Sequence, residues 1–426
     1  MPPGFYLGLV LYVGGWLSIH FLSGAYDSLY QKSRLTEFIR TFSTSLIGCL
    51  VLLFFFILKN PQVHNQYYYL EFFSLLVPVF ICTFFVRLIT LNIVKKQLVQ
   101  KKVFFNALII GTGEKVTEFY HKFLQTKERS GVVLTAYIST NNEPVKELSD
   151  DIIQYPTLNE LQAIIAEQNI EEVIIAVNKT DRDLLTTILQ KLSDKEVNIK
   201  ITPDTVDIIS GALQTNNIMG VPLIDIHSGQ LPPWQQNIKR VTDLFIGLLA
   251  IIVLSPLIIF TLIRVAFSSK GPIFFLQERI GFKGKPFIMY KFRSMYLDAE
   301  KDGPRLSSKD DPRITTWGKT MRKWRLDELP QLWNVIKGEM SLVGPRPERK
   351  FYIDQIVVKH PEYKYIFKTK PGITSWGMVN AGYASSVEEM IMRMPYDLLY
   401  VENVSLGLDL KIMIYTIQII FAGKGK

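Results

Sequence analysis

The sequence predicts a membrane protein of mixed α and α/β class, and three observations support that prediction. Long apolar runs fill much of residues 1–98, and strand-like and helix-like patterns alternate across residues 99–236. A charged segment follows a fourth apolar run in residues 237–426. We treat these three segments as domains. With 48% hydrophobic and 20% charged residues, the chain has ample apolar material for folded cores, which excludes an intrinsically disordered protein.

Three apolar runs in the first domain are predicted to be transmembrane helices. They extend from Phe5 to Leu22, from Thr41 to Leu58 and from Tyr69 to Val94, and a span needs about 20 apolar residues. Basic residues follow the first and third runs, whereas the loop from Asn60 to Tyr68, between the second and third, has no lysine or arginine. Because cytoplasmic loops are enriched in these residues, the segment after Lys95 is expected in the cytoplasm. A soluble bundle of buried helices is the alternative.

A fourth apolar run, Leu244 to Ile263, is predicted to enter the membrane and return on the same side. Basic residues flank it at both ends, so both flanks are expected in the cytoplasm. Ser255 and Pro256 interrupt the run, and proline removes a backbone donor and clashes with the preceding turn. The serine hydroxyl would help to satisfy the freed carbonyls. A proline-kinked full span is the alternative.

The middle domain is predicted to form a parallel, Rossmann-like α/β sheet, because apolar runs such as Ala107–Ile110 and Glu172–Val177 alternate with helical patterns. Gly111 and Gly113 follow the first strand, where a nucleotide-binding turn would lie. However, Val116 replaces the third glycine of that fingerprint. A working dinucleotide site and a degenerate domain used for assembly or regulation both stay open, and we favour the second.

The excess positive charge is concentrated between Arg264 and Lys350. This stretch holds 19 basic and 10 acidic residues, an excess as large as the +9 of the whole chain. A basic segment beside apolar helices indicates an anionic partner such as a phosphate ester or a lipid headgroup. Nucleic acid is not expected as a partner, because no stripe of basic and aromatic residues typical of a nucleic-acid module is present.

Asp327 and Glu328 are the candidate catalytic residues. Pro330 and an amphipathic run follow them, so both are predicted at a helix N-terminus, where the helix dipole favours ionised carboxylates. Arg322 and Arg325 are close in sequence and favour ionisation too. An ionised aspartate among arginines is suited to attack phosphorus, which splits one displacement into two. The alternative is a helix cap with a solvated acidic neighbour.

Arg346 is a candidate for binding phosphate. It lies between two prolines, which stiffen the backbone and present the guanidinium at low entropic cost for bidentate contact. The alternative is that this segment is only a rigid loop. Magnesium prefers carboxylates combined with substrate phosphates, so Asp327 and Glu328 are also the candidate ligands for Mg²⁺, or Mn²⁺ in its place.

Several motifs in residues 237–426 together resemble the bacterial sugar transferase family, the monotopic polyprenyl-phosphate phosphoglycosyl transferases. In chain order they are Lys239-Arg240-x-x-Asp243, the interrupted apolar run, Gln277 to Met295, Asp327-Glu-Leu-Pro-Gln-Leu-Trp-Asn334, Ser341-Leu-Val-Gly-Pro-Arg-Pro-Glu348, Lys370-Pro-Gly-Ile-Thr-Ser-Trp376 and Tyr396-Asp397 with Tyr400-x-Glu402-Asn403. The whole chain is similar to the long members of the family. These start exopolysaccharide or O-antigen repeat units and carry transmembrane helices and a nucleotide-binding-like middle domain.

The resemblance implies that sugar-1-phosphate passes from a UDP-sugar to undecaprenyl phosphate at the cytoplasmic face of the bacterial inner membrane, with release of UMP. It implies that Asp327 is the nucleophile, that Glu328 assists with magnesium or proton transfer, and that the helix breaks at Ser255-Pro256. Membrane lipid is an expected partner, and a homodimer stays open. The residues assigned to substrate phosphates are Lys291, Arg293, Arg322, Arg325 and Arg346.

Two other functions stay open. One is a membrane-anchored Rossmann-type enzyme that modifies nucleotide sugars. It would need an intact glycine fingerprint and a Tyr-x-x-x-Lys or similar pair in the middle domain, and the sequence has neither. The other is a non-catalytic regulatory scaffold in which the middle domain binds a partner or a nucleotide.

Overall fold

The structure is a computed structural model of the 426-residue chain. It describes the chain outside residues 1–2, 31, 60–64, 101, 142–144, 146, 179–180, 193–196, 205–222, 227–230, 302, 308–310 and 422–426.

Each predicted N-terminal apolar run lies in a helix: α1 (Pro3–Leu22), α2 (Arg34–Lys59) and α3 (Asn65–Val99). By length and composition, α2 and α3 could each cross a membrane, whereas the apolar part of α1 is the shorter segment Tyr6–Leu22. A buried ion pair between Glu37 and Arg87 joins α2 to α3. Part of the predicted loop between α2 and α3, including His64, lies outside the described residues.

The middle domain contains the predicted parallel sheet. Its elements are β1 (Phe105–Gly111), α4 (Gly113–Ser130), β2 (Val132–Ser139), β3 (Ile153–Tyr155), α5 (Leu161–Glu167), β4 (Glu172–Ala176), α6 (Arg182–Leu192), β5 (Asn198–Ile201) and β6 (Ile224–Ile226). The described strands have the order β3-β2-β1-β4-β5-β6, and β6 alone pairs antiparallel. Alternate residues of β1 enter two cores: Ala107 packs with α4, and Leu108 packs with α5 and α6.

The fourth apolar run is broken where the sequence predicts. Helix α7 (Pro233–Val253) ends one residue before α8 (Ser255–Ser268) begins, and the two are bent by 64°. Pro256 has no N–H to donate to the Ile252 carbonyl four residues earlier. The Ser255 hydroxyl donates to that same carbonyl oxygen at 2.8 Å, which confirms the role predicted for the serine.

The third domain is mainly helical. It contains an antiparallel hairpin of β7 (Phe274–Ile280) and β8 (Pro286–Phe292) and a short parallel pair of β9 (Ser341–Val343) and β10 (Gly372–Thr374). Its helices are α9 (Thr316–Trp324), α10 (Gln331–Lys337), α11 (Lys350–Lys359), α12 (Trp376–Ala381), α13 (Val387–Glu402) and α14 (Leu406–Phe421).

Polar residues near the start of α7 attach the broken helix to this domain. Arg240 donates to the Val335 and Ile336 carbonyls at the end of α10, both at 2.7 Å. Asp243 accepts a hydrogen bond from the backbone of β9, and Lys239 pairs with Asp409 of α14. The three charged residues of the Lys-Arg-x-x-Asp motif therefore connect α7 to α10, β9 and α14 of the third domain.

Replacing Arg240 with methionine should destabilise the protein, because two carbonyls at the end of α10 lose their donor. The expected loss is about 1–3 kcal/mol, measured as a lower midpoint of thermal unfolding of the purified full chain. Lys319→Met, which changes an exposed side chain of α9, is the matched control. An unchanged midpoint for Arg240→Met would show that this attachment contributes no stability.

Candidate active site

Asp327 and Glu328 lie in a single 3-10 turn, Leu326–Glu328, between α9 and α10. Arg325 ends α9 in the left-handed conformation, with φ of 55°, and Pro330 is the N-cap of α10. The pair therefore lies just before α10 and not in its first turn, because the left-handed residue redirects the chain before the next helix begins. Each residue is only 7% exposed, so the alternative of a solvated acidic neighbour is wrong.

Glu328 is held by three side chains from distant parts of the sequence. Its Oε1 accepts from Lys291 Nζ at 3.4 Å and from Arg346 Nη2 at 3.1 Å. Its Oε2 accepts from the Tyr383 hydroxyl at 3.3 Å. Lys291 comes from β8, and Arg346 from the proline-flanked loop after β9. The structure therefore brings together two of the predicted phosphate-binding residues at one carboxylate.

The neighbouring Asp327 is in a different situation. In the part of the chain that the structure describes, no basic side chain forms an ion pair or hydrogen bond with its carboxylate. Lys291 and Arg322 act on it only through their charges at longer range. One carboxylate of the pair is thus fixed by three side chains, and the other is buried without a basic partner among the described residues.

The two carboxyl groups have pKa values shifted in opposite directions. Burial raises the pKa of Asp327, and the negative charge of Glu328 raises it further. Burial also opposes ionisation of Glu328, but the charges of Arg346 and Lys291 outweigh it and lower its pKa to about 2. Glu328 is therefore a permanent anion at neutral pH, and Asp327 has the higher proton affinity.

The other predicted phosphate-binding arginines lie in three different environments. Arg322 donates to the Ser307 hydroxyl at 2.6 Å and is one of the charges acting on Asp327. Arg325 lies over the Tyr383 ring, 4.7 Å from its centroid. Arg293 is not brought to the pair: among the described residues its guanidinium donates to the Ser269 carbonyl and contacts neither carboxylate.

Sequence reasoning missed two residues that shape this site. Tyr383 contacts Glu328, and Asn334 connects β8 to α10 by accepting from the Tyr290 N–H and donating to the Ile288 carbonyl. Asn334 is the last residue of the Asp-Glu-Leu-Pro-Gln-Leu-Trp-Asn motif, which was a usable signal. For Tyr383 the sequence gives no signal beyond the preceding glycine, Gly382, which in the structure has a positive φ of 77°.

The loop that carries Arg346 is anchored by its own buried ion pairs. Glu348 accepts from Arg279 at 2.9 Å and from Arg393 at 2.8 Å. Gly344 begins the loop so close to the next strand that an added Cβ would lie 2.1 Å from the Lys370 carbonyl oxygen. The loop is rigid, as the alternative reading has it, but it also holds the Arg346 guanidinium in contact with Glu328.

The predicted metal ligands are two adjacent carboxylates. Across the described residues, no group of three or more His, Cys, Asp and Glu side chains gathers to hold a metal ion. Asp327 and Glu328 fit an ion such as Mg²⁺ that takes its other ligands from substrate phosphates. Burial and a neighbouring anion raise the pKa of Asp327, and a bound cation would lower it again.

Comparison with known proteins gives two family matches. Residues 234–423 match the family described as bacterial sugar transferase, and residues 22–203 match the one described as CoA-binding domain. The first match includes both carboxylates of the pair.

Three relatives show how far the similarity extends. The chain is 40% identical over 210 residues to the UDP-N-acetylgalactosamine-undecaprenyl-phosphate N-acetylgalactosaminephosphotransferase of Aeromonas hydrophila, covering 48% of this chain and 50% of that protein. It is 31% identical over 318 residues to the UDP-glucose:undecaprenyl-phosphate glucose-1-phosphate transferase of Xanthomonas campestris pv. campestris, covering 72% and 65%. It is 39% identical over 188 residues to the uncharacterized sugar transferase EpsL of Bacillus subtilis, covering 44% and 89%. The chain thus spans about half to two thirds of the first two relatives.

Replacing Glu328 with glutamine should destabilise the site, because Lys291 and Arg346 would be left as buried cations without their anion. Breaking a buried pair in this way costs about 3 kcal/mol or more. The measurement is the midpoint of thermal unfolding of the full chain. Asp298→Asn, which removes one partner of an exposed ion pair with Lys301, is the control and should leave the midpoint unchanged. Equal midpoints for the two variants would contradict the prediction.

Proposed function

This chain belongs to the bacterial sugar transferase family, and we propose that it is a membrane-embedded phosphoglycosyl transferase. A UDP-sugar donates sugar-1-phosphate to undecaprenyl phosphate, giving a polyprenyl-diphosphate sugar and UMP. The reaction is the first membrane step of exopolysaccharide or O-antigen synthesis. The observation that carries the proposal is the buried Asp327 carboxylate, which no cation contacts among the described residues, beside a Glu328 that three side chains hold in place.

In the first step, a carboxylate oxygen of Asp327 attacks the phosphorus that bears the sugar. A carboxyl–phosphate bond forms, and the bond between that phosphorus and the bridging oxygen of the diphosphate breaks. UMP leaves with the bridging oxygen and its electron pair. This role is supported by the ion pairs of Lys291 and Arg346, which go to Glu328 and leave an oxygen of Asp327 to approach the phosphorus.

In the second step, a phosphate oxygen of undecaprenyl phosphate attacks the same phosphorus. The carboxyl–phosphate bond breaks, and its electron pair returns to Asp327, which is a carboxylate again. Two displacements replace one, so donor and acceptor need not be aligned in the same complex.

We assign to Arg322, Arg346 and Lys291 the neutralisation of phosphate charge during both steps. Arg346 and Lys291 meet at Glu328, so a phosphate entering beside Asp327 reaches guanidinium and ammonium donors together. We include Mg²⁺ in the proposal, held by Asp327 and Glu328, and it would supply electrostatic stabilisation of the phosphate oxygens. Arg325 acts on Glu328 through its charge, and Arg293 is a weaker candidate because its guanidinium donates to the Ser269 carbonyl.

The proposed membrane arrangement follows from the helices. Residues 1–98 form the transmembrane domain and residues 99–236 the Rossmann-like domain. In residues 237–426 the bent pair α7–α8 is a re-entrant element with both ends on the cytoplasmic face. The 64° bend and basic residues at both flanks support this arrangement. It places the carboxylate pair where a lipid phosphate and a cytoplasmic nucleotide sugar could meet.

Asp327→Asn should abolish UMP release while leaving the protein in the membrane, because an amide is too poor a nucleophile for the first step. The measurement is UMP release by membranes containing the full chain, with undecaprenyl phosphate and magnesium present. Asp354→Asn, at an exposed carboxylate of α11, should keep wild-type activity. Full activity of the Asp327 variant would refute the proposed nucleophile.

A donor screen tests the substrate class. UDP-glucose, UDP-galactose and their N-acetylated counterparts are offered separately with undecaprenyl phosphate. We expect at least one to release UMP with formation of a lipid-linked sugar diphosphate, and the sugars named for the relatives, glucose and N-acetylgalactosamine, are tried first. Failure of every UDP-sugar with correctly inserted wild-type protein would contradict the proposed reaction.

A further inference from the structure

We propose that Tyr383 is a positioning residue of this site, which fixes the turn carrying the nucleophile through contacts with two arginines. The inference rests on the function proposed above. Two guanidinium groups lie over the Tyr383 ring: Arg346 Cζ is 4.5 Å from its centroid and Arg325 Cζ is 4.7 Å from it. Both distances are within the range of a favourable cation–π interaction. One ring therefore connects two segments that approach the carboxylate pair separately.

The contact with Arg325 acts on the backbone beside the nucleophile. Arg325 has a φ of 55°, a left-handed conformation that a residue with a side chain adopts only at a cost. It ends α9, and the turn with Asp327 begins at the next residue. Holding the Arg325 side chain against the Tyr383 ring therefore opposes relaxation of the turn and keeps Asp327 in its present place.

The contact with Arg346 acts on the phosphate-binding side. Arg346 donates to Glu328 Oε1 at 3.1 Å and also to the Met378 sulfur at 3.1 Å. The aromatic ring supplies a flat surface that limits the remaining freedom of the guanidinium. Tyr383 thus orients a cation that the proposed reaction uses.

The hydroxyl and the ring of Tyr383 have separable contacts. The hydroxyl donates to Glu328 Oε2 over a long 3.3 Å, while both arginine contacts involve the ring alone. Gly382, which has a positive φ, ends α12, and Tyr383 follows it directly in the chain. Since Tyr383 contacts Glu328, Arg325 and Arg346, it acts through these residues, and a phenylalanine should preserve most of its effect.

Two variants of the full chain test the proposal, Tyr383→Phe and Tyr383→Leu, with the exposed Tyr296→Leu as control. The phenylalanine variant keeps both ring contacts, so its kcat for UMP release should stay within about fivefold of wild type. The leucine variant loses both contacts and should lose about 30- to 100-fold in kcat, with the KM for the UDP-sugar changed less than threefold. The unfolding midpoints of Tyr383→Phe and Tyr296→Leu should match wild type, and that of Tyr383→Leu should fall by no more than a few degrees.

Amide hydrogen exchange supplies a readout that does not need activity. In the leucine variant, the peptide containing residues 325–329 should exchange faster than in wild type, and in the phenylalanine variant it should not. A leucine variant with wild-type kcat and wild-type exchange would overturn the inference. A phenylalanine variant as impaired as the leucine variant would also overturn it, because the hydroxyl would then carry the effect. A much lower unfolding midpoint for the leucine variant would overturn it too, because the ring would then serve stability of the whole fold.

The two proposals fail in different ways. If wild-type protein releases no UMP from any donor, the proposed function fails, and exchange at residues 325–329 still decides whether Tyr383 fixes the turn. If wild type is active and the leucine variant matches it in both measurements, the positioning role fails and the proposed function stands.

Discussion

The arrangement of the candidate site depends on one buried anion, Glu328. Moving its charge and those of Lys291 and Arg346 out of water is costly, and the cost is recovered only if the partners meet in good geometry. These partners lie 37 and 18 residues away in sequence, and Tyr383 lies 55 residues away. The contacts at Glu328 therefore form only when four parts of the chain are folded together: the β7–β8 hairpin, the 3-10 turn, the proline-flanked loop and the segment after α12. Among the described residues Asp327 has no ion pair of its own, because Lys291 and Arg346 both pair with Glu328.

A second buried anion, Glu348, keeps that geometry from relaxing. Arg279 reaches it from β7 and Arg393 from α13, and Arg393 also pairs with Asp397 one helical turn further on. Because Glu348 is two residues from Arg346, the two ion clusters hold opposite ends of one short loop. The two prolines then have a physical role: they leave the loop few conformations in which both clusters could be satisfied at once.

Much of the fold could be predicted from the sequence, because the signals are local. Hydrophobic runs indicated α1, α2 and α3, alternation indicated the parallel sheet, and Ser255-Pro256 indicated the break between α7 and α8. Lys291 and Arg346, both predicted to bind phosphate, contact Glu328 in the structure, and their binding of phosphate stays a prediction. The contact of Tyr383 could not be predicted, since it depends on where a left-handed Gly382 sends the chain after α12. Arg293 shows that nearness in sequence is not enough: it is two residues from Lys291, but it lies just after β8 and its guanidinium donates to the Ser269 carbonyl.

The glycine turn of the middle domain shows how one pattern can serve a different purpose. Gly111 ends β1 where an added Cβ would lie 2.2 Å from the Ala176 carbonyl oxygen of the neighbouring strand, so glycine is needed there for strand packing alone. Val116, at the position of the third glycine, is fully buried and packs against that same point. A Cβ on Gly113 would meet the Val145 side chain at 3.5 Å, so an apolar group lies over the start of α4. In a working dinucleotide site these positions give the pyrophosphate close access to the backbone. Here they are used for apolar packing, which favours a domain retained for assembly or regulation over one that binds a dinucleotide in this turn.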